Sequence, residues 1–127
     1  MATYPKVRVA AGQLSTAAVN AGAQIVKPVA GHTITVVDGW LRAIGGNAAT
    51  ATSVDVKDTA AAPATAFKIA VAGLTQNAVA RVGLATHSTN TGVGSPLTKG
   101  KGLQIKADGT LQTATAIDYV IFYKIDG

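Results

Sequence analysis

The chain has 127 residues, a net charge of +5, no cysteine and no glutamate. The absent cysteine excludes a disulfide scaffold and a thiolate metal site. Two histidines (His32, His87) and six aspartates that never cluster leave almost nothing from which to converge an active site. Only 13% of the chain is charged, about half the usual share, so much of the surface must be Thr, Ser, Asn, Gly and Ala. Part of it is then expected to lie in an assembly.

The length suits one domain, long enough to bury roughly two-thirds of its unfolded surface. Residues 1–22 read as an N-terminal arm. Gln13 to Asn20 could form a short turn of helix, ended by Gly22. The start, Met1 to Lys6 followed by Val7-Arg8-Val9, has no basic region leading into an apolar core, so no secretory signal is expected. No apolar run approaches bilayer length.

From residue 23 the period is mostly two, which predicts strands. Gln24 to Lys27 is a short strand stopped by Pro28. His32 to Ile44 is a long one in which Ile34 and Val36 share a face. Beyond Asp38-Gly39 both Trp40 and Leu41 call for burial, and a bulge there would reconcile them. Trp40 reads as core. Val54 and Val56 alternate with Ser53, Asp55 and Lys57. Residues 58–65 are a loop. Phe67, Ile69 and Val71 alternate with Lys68, and Ala80, Val82 and Leu84 share a face.

Thr86 to Gly102 is a polar surface stretch, and function often sits in such loops. Leu103, Ile105 and Ala107 alternate with Gln104 and Lys106, and Asp108-Gly109 predicts a hairpin turn. The last run, Ile117 to Ile125, is apolar on both faces, which suits a central strand or one covered by a neighbouring chain. The fold expected is all-β: one antiparallel β-sandwich of about eight strands over residues 23–127. An internal echo supports two similar halves: Thr50-Ala-Thr-Ser-Val-Asp55-Val matches Thr113-Ala-Thr-Ala-Ile-Asp118-Tyr.

Few constellations could carry chemistry. Gly94 to Gly102 departs from a phosphate loop in spacing, lacks the Ser or Thr after its lysine, and carries Pro96. His32 and His87 would need a third ligand such as Asp38, Asp55 or Asp118, and no spacing favours that. Asp55 and Asp118 would suggest acid/base work only as a pair. No catalytic residue, cofactor or metal is therefore expected. The cations are scattered, with a local pair only at Lys99 and Lys101, which argues against a nucleic-acid groove. The remaining candidates form an interface set. It comprises Trp40 with Arg42, the basic Lys99 and Lys101, and the closing aromatics Tyr119, Phe122 and Tyr123. Phe122 and Tyr119 point to opposite faces, so one of them must face away from the sandwich interior.

Three segments carry a resemblance: Pro28-Val-Ala-Gly-His-Thr-Ile-Thr-Val-Val-Asp-Gly-Trp-Leu-Arg-Ala43, Leu97-Thr-Lys-Gly-Lys-Gly-Leu-Gln-Ile-Lys106, and Asp118-Tyr-Val-Ile-Phe-Tyr123. The pattern resembles small jelly-roll structural proteins of tailed bacteriophages, over roughly residues 23–126. The resemblance implies a jelly-roll order and a non-enzymatic decoration or cement protein that stabilises a phage head. It also implies self-association, with a homotrimer preferred, and a major capsid protein as partner. The protein would be made in the host cytoplasm and carried on the virion surface, with no membrane partner. The alternative is a carbohydrate-binding or host-attachment module of a phage fibre or spike.

Overall fold

The computed structural model describes residues 6–83 and 87–126. Leu84, expected on a strand, lies outside the described residues. Among the described residues nine strands run in chain order: β1 Arg8–Ser15, β2 Ala23–Val26, β3 Thr33–Ile44, β4 Ser53–Asp58, β5 Thr65–Ala70, β6 Val79–Arg81, β7 Ser88–Thr89, β8 Leu103–Asp108 and β9 Ala116–Asp126. They form a four-stranded sheet in the order β1-β9-β3-β6 and a five-stranded sheet in the order β2-β8-β4-β5-β7. Every pairing between named strands is antiparallel. The pairs nest: first with last, second with penultimate, fourth with fifth. That nesting is a jelly-roll order on a sandwich.

The sandwich begins at Arg8, not at residue 23. The segment expected to be an arm is β1, paired with β9 without a register shift from Arg8↔Tyr123 to Ser15↔Ala116. A short helix, α1 (Thr16–Ala21), follows it. The Ser15 hydroxyl accepts from the Ala18 amide as its N-cap, and Gly22 closes it at φ 91°. Val19 is fully buried, and the Asn20 side chain bonds both the carbonyl and the amide of Leu111. The sequence hid this strand because its inward residues include Ala10 and Gly12, with only Leu14 large, so its alternation is weak.

β9 is a central strand between β1 and β3, as its two apolar faces suggested. The bulge in β3 falls at Val37, where pairing steps from Val36↔Tyr123 to Asp38↔Phe122. Ile34 and Val36 face inward before it, Leu41 and Ala43 after it, all 3% exposed or less. Trp40 is therefore on the outer face and only half-buried; Leu41 takes the core position expected for it. Gly39 has a local reason: a Cβ there would lie 2.9 Å from the Val120 carbonyl oxygen. The core also holds Phe67, Ile69, Leu74, Leu103, Ile105, Leu111, Ile117 and Ile121. Each such side chain contributes about 1.5–3 kcal/mol on burial.

Asp108-Gly109 is not a hairpin. β8 and β9 belong to different sheets, and the residues between them cross over. The internal echo is structural. Ala49 and Gln112 exchange backbone hydrogen bonds of 3.1 and 3.0 Å. The next residue in each segment, Thr50 and Thr113, takes a left-handed backbone at φ 77° and 73°. β4 and β9 thus start from a matched pair of kinks, one leading into each sheet.

The loop over residues 59–64 is held by a buried carboxylate. Asp58 is fully buried; its Oδ1 accepts from the Ala60 and Ala64 amides at 3.0 and 3.2 Å, and its Oδ2 from the Thr98 amide at 2.9 Å. Burial opposes the charge, but these donors together outweigh it and hold the carboxyl below its usual range.

Candidate functional site

Register places the outer-facing side chains of the four-stranded sheet in rows. One row is Val9, Phe122 and Asp38; the next is Ala11, Val120, Trp40 and Arg81; the third is Gln13, Asp118, Arg42 and Val79. Val9 and Val79 are 56% and 49% exposed, two of the four exposed large aliphatic side chains among the described residues. Phe122, Val120 and Trp40 are half-buried between them. Among the described residues no element covers this stripe.

The central charges on this face are paired with each other, while Lys124, outward on β9 opposite Thr35, forms no ion pair within 4 Å among the described residues. Arg42 Nη2 donates to Asp118 Oδ2 at 2.7 Å, and Gln13 Nε2 donates to Asp118 Oδ1 at 2.8 Å. Arg81 Nη2 donates to Asp38 Oδ2 at 2.8 Å, and Asp38 also accepts from the Gly39 amide. Arg42, with help from Gln13, holds the Asp118 carboxyl below its usual range; Arg81 does the same for Asp38. The Arg42 guanidinium lies 5.6 Å from the centre of the Trp40 ring, within cation–π reach. The result is an apolar, aromatic face on which both carboxylates are paired, although the buried Arg42 Nε has no hydrogen-bond partner.

The outer face of the five-stranded sheet is the opposite. Lys68, Asp55 and Lys106 lie in one row, with Lys57 and Gln104 beside them. Among the described residues, none of these lysines forms an ion pair within 4 Å. Asp55 is buried and accepts from the Ser53 hydroxyl.

The structure splits the expected interface set. Trp40, Arg42 and Phe122 come together on the apolar face. Tyr119 and Tyr123 face the sandwich interior, partly buried against the core, and burial pushes the Tyr119 hydroxyl up. The Gly12 Cα lies over the Tyr119 ring, where a Cβ would meet the hydroxyl oxygen at 3.2 Å. Lys99 and Lys101 are exposed at the His32 end of β3, where the Gly100 amide donates to the His32 carbonyl. The loop carrying them is tied down too: Gly94 and Leu97 amides bond the Val36 and Ile34 carbonyls, and Leu97 is buried. The sequence missed Val9, Val79 and Val120, and only the register of the assembled sheet could have found them.

Asp55 and Asp118 lie on the outer faces of different sheets, so they form no carboxylate pair. His32 is exposed, its Nδ1 3.0 Å from the Ala30 carbonyl oxygen. Among the described residues no three His or Asp side chains gather as metal ligands. A cavity of about 280 Å³ opens between β5, β6 and β7, lined by Ile69, Val79, Ala80, Arg81, His87 and Ser88. It falls below the roughly 300–1,000 Å³ of small-molecule pockets, and its guanidinium is already bonded to Asp38. No helix is long and apolar enough to cross a membrane among the described residues. No protein-family model, curated protein or solved structure matches the chain.

Proposed function

We propose that the chain is a non-enzymatic virion structural protein, a decoration or cement protein that self-associates and binds the major capsid protein of a phage head. The observation that carries this reading is the apolar outer face of the four-stranded sheet, which no described element covers and whose central charges are paired as Arg42–Asp118 and Arg81–Asp38. Such a face loses little polar solvation when another protein surface covers it, and Trp and Arg are the residues that anchor contacts of this kind. The lysines on the other sheet and at residues 99 and 101 supply a second, distinct means of recognition. Unpaired exposed cations draw an acidic partner, chiefly through on-rate and salt dependence. The resemblance of the sequence to phage jelly-roll proteins supplies the setting.

The test mixes purified protein with heads lacking it and measures occupancy by electron microscopy. Saturable occupancy that weakens with added salt is expected. Absence of binding to any capsid, with clear binding to a glycan array, would transfer the case to a host-attachment module, with Trp40 as the stacking platform.

A further inference from the structure

The two sheets have four edges, and three are blunted. β2 is four residues long with a register irregularity between Gln24 and Val26. β7 has two residues and β6 three. The stretch of β3 that β6 leaves open is covered by the bridge from Thr35 to Pro96 and by the bonds from Gly94 and Leu97. β1 is different. It has eight residues, pairs β9 without a shift, and contains no proline, no bulge and no charge after Arg8. Proteins protect their long edge strands with lysines, prolines, bulges or covering loops, and among the described residues β1 has none of these along its length. Its flank also carries exposed apolar surface: Val7 is 57% exposed and Val9 56%.

We propose that the free edge of β1 pairs antiparallel with β1 of a second copy, joining two four-stranded sheets into one of eight strands. This specifies the self-association in the reading above and rests on that part of it alone.

Charge selects a second copy running antiparallel. Lys6 and Arg8 sit at one end of the strand, so a two-fold partner places them at opposite ends and brings neutral residues together. A parallel copy would set Arg8 beside Arg8. The ladder restricts the register further. Antiparallel pairs alternate between hydrogen-bonded and non-bonded, so a two-fold axis must pass through a residue that opposes itself. For Arg8–Ser15 that residue is Ala11 or Gly12. Either register keeps the outward residues of the two copies on one face, Val9 lying opposite Gln13 or Ser15 of the second copy. The two Trp40–Val120–Phe122 stripes then become one larger surface around the axis. An edge pair of this kind gives an even subunit number, which departs from the trimer that the resemblance implies.

The experiment measures mass by light scattering across a micromolar dilution series, for the intact chain and for Ala11→Lys. Ala11 is exposed, and its replacement adds two like charges near the axis without touching the core. The intact chain is expected to show twice the 12.7 kDa chain mass, and Ala11→Lys to weaken the dimer at least tenfold while keeping an unchanged β-sheet circular dichroism spectrum. Hydrogen exchange on the intact chain provides a variant-free readout: the amides of residues 8–15 that point away from β9 should lose protection on dilution while those of β9 keep theirs. A compact monomer, or a trimer, would overturn the proposal. So would a dimer that survives Ala11→Lys and dissociates with Trp40→Ala, since the contact would then be face to face. Capsid binding by a monomer would leave the decoration reading standing and remove only the edge pairing.

Discussion

The two sheets of this sandwich solve the same problem in different ways. Both bury one face against the other, yet the four-stranded sheet leaves an aromatic outer face whose central charges are paired, and the five-stranded sheet leaves unpaired lysines around a buried aspartate. Long strands build the first: β3 and β9 run for twelve and eleven residues, so their outward positions make a continuous surface. Short strands and tied loops build the second, and its order depends on carboxylates such as Asp58. The contrast teaches that in a chain so poor in charge, the placement of a few ionic groups separates a surface that can be covered from one that stays wet.

The largest effect should come from deleting residues 1–22. That removes β1, α1 and the buried Val19, and it turns β9 into a bare edge. The truncated chain is expected to lose most of its native circular dichroism signal; a cooperative, near-native melt would show that the four-stranded sheet does not need its first strand.

Next comes Asp58→Ala, which strands three amide donors in a buried site. Leaving buried donors unmet costs about 1–3 kcal/mol each, so urea midpoints should report a loss of at least ~3 kcal/mol. The same carboxylate gives a pH signature. Its folded pKa is depressed, so its contribution is present above the unfolded value near 3.9 and is lost as pH falls through the folded one. Asp38 and Asp118 shift the same way, so stability should hold at neutral pH and drop below about pH 4. Asp58→Asn should flatten that fall. An unchanged acid profile would locate the acid sensitivity elsewhere.

A smaller effect on stability, but a large one on assembly, is expected from Phe122→Ser with Trp40→Ser. These outer residues should change the melting temperature by only a few degrees, leave the mass by light scattering unchanged, and reduce capsid occupancy severalfold in a pull-down. Reversing Lys57, Lys68 and Lys106 to Glu should leave mass unchanged and weaken the salt dependence of capsid association. Equal loss from both sets of variants would erase the distinction between the faces.

The smallest effect probes the echo. Thr50 and Thr113 are β-branched residues in a left-handed backbone, a strained conformation. Thr113→Gly should relieve that strain and be neutral or stabilising by up to ~1 kcal/mol. A clear loss of stability would show that the threonine side chain matters more than its backbone.

Period-two alternation in β3, β4, β5 and β8, together with the two-faced apolar run of β9, determined by itself that the fold is an antiparallel sandwich. The bulge beside Asp38-Gly39 was legible because Trp40 and Leu41 could not both face inward, and Phe122 was legible as outward by parity with Tyr119. Tertiary structure decided the rest. Which of Trp40 and Leu41 is buried depended on where the extra residue fell, one position before Asp38. β1 was invisible because a strand that leans on a neighbour for its core face needs few large residues of its own. Asp108-Gly109 has hairpin chemistry, but strands in a jelly roll pair by nesting, so the chain crosses between sheets there instead of turning back. The apolar stripe from Val9 to Val79 joins four strands distant in sequence, and only their register brings it into being.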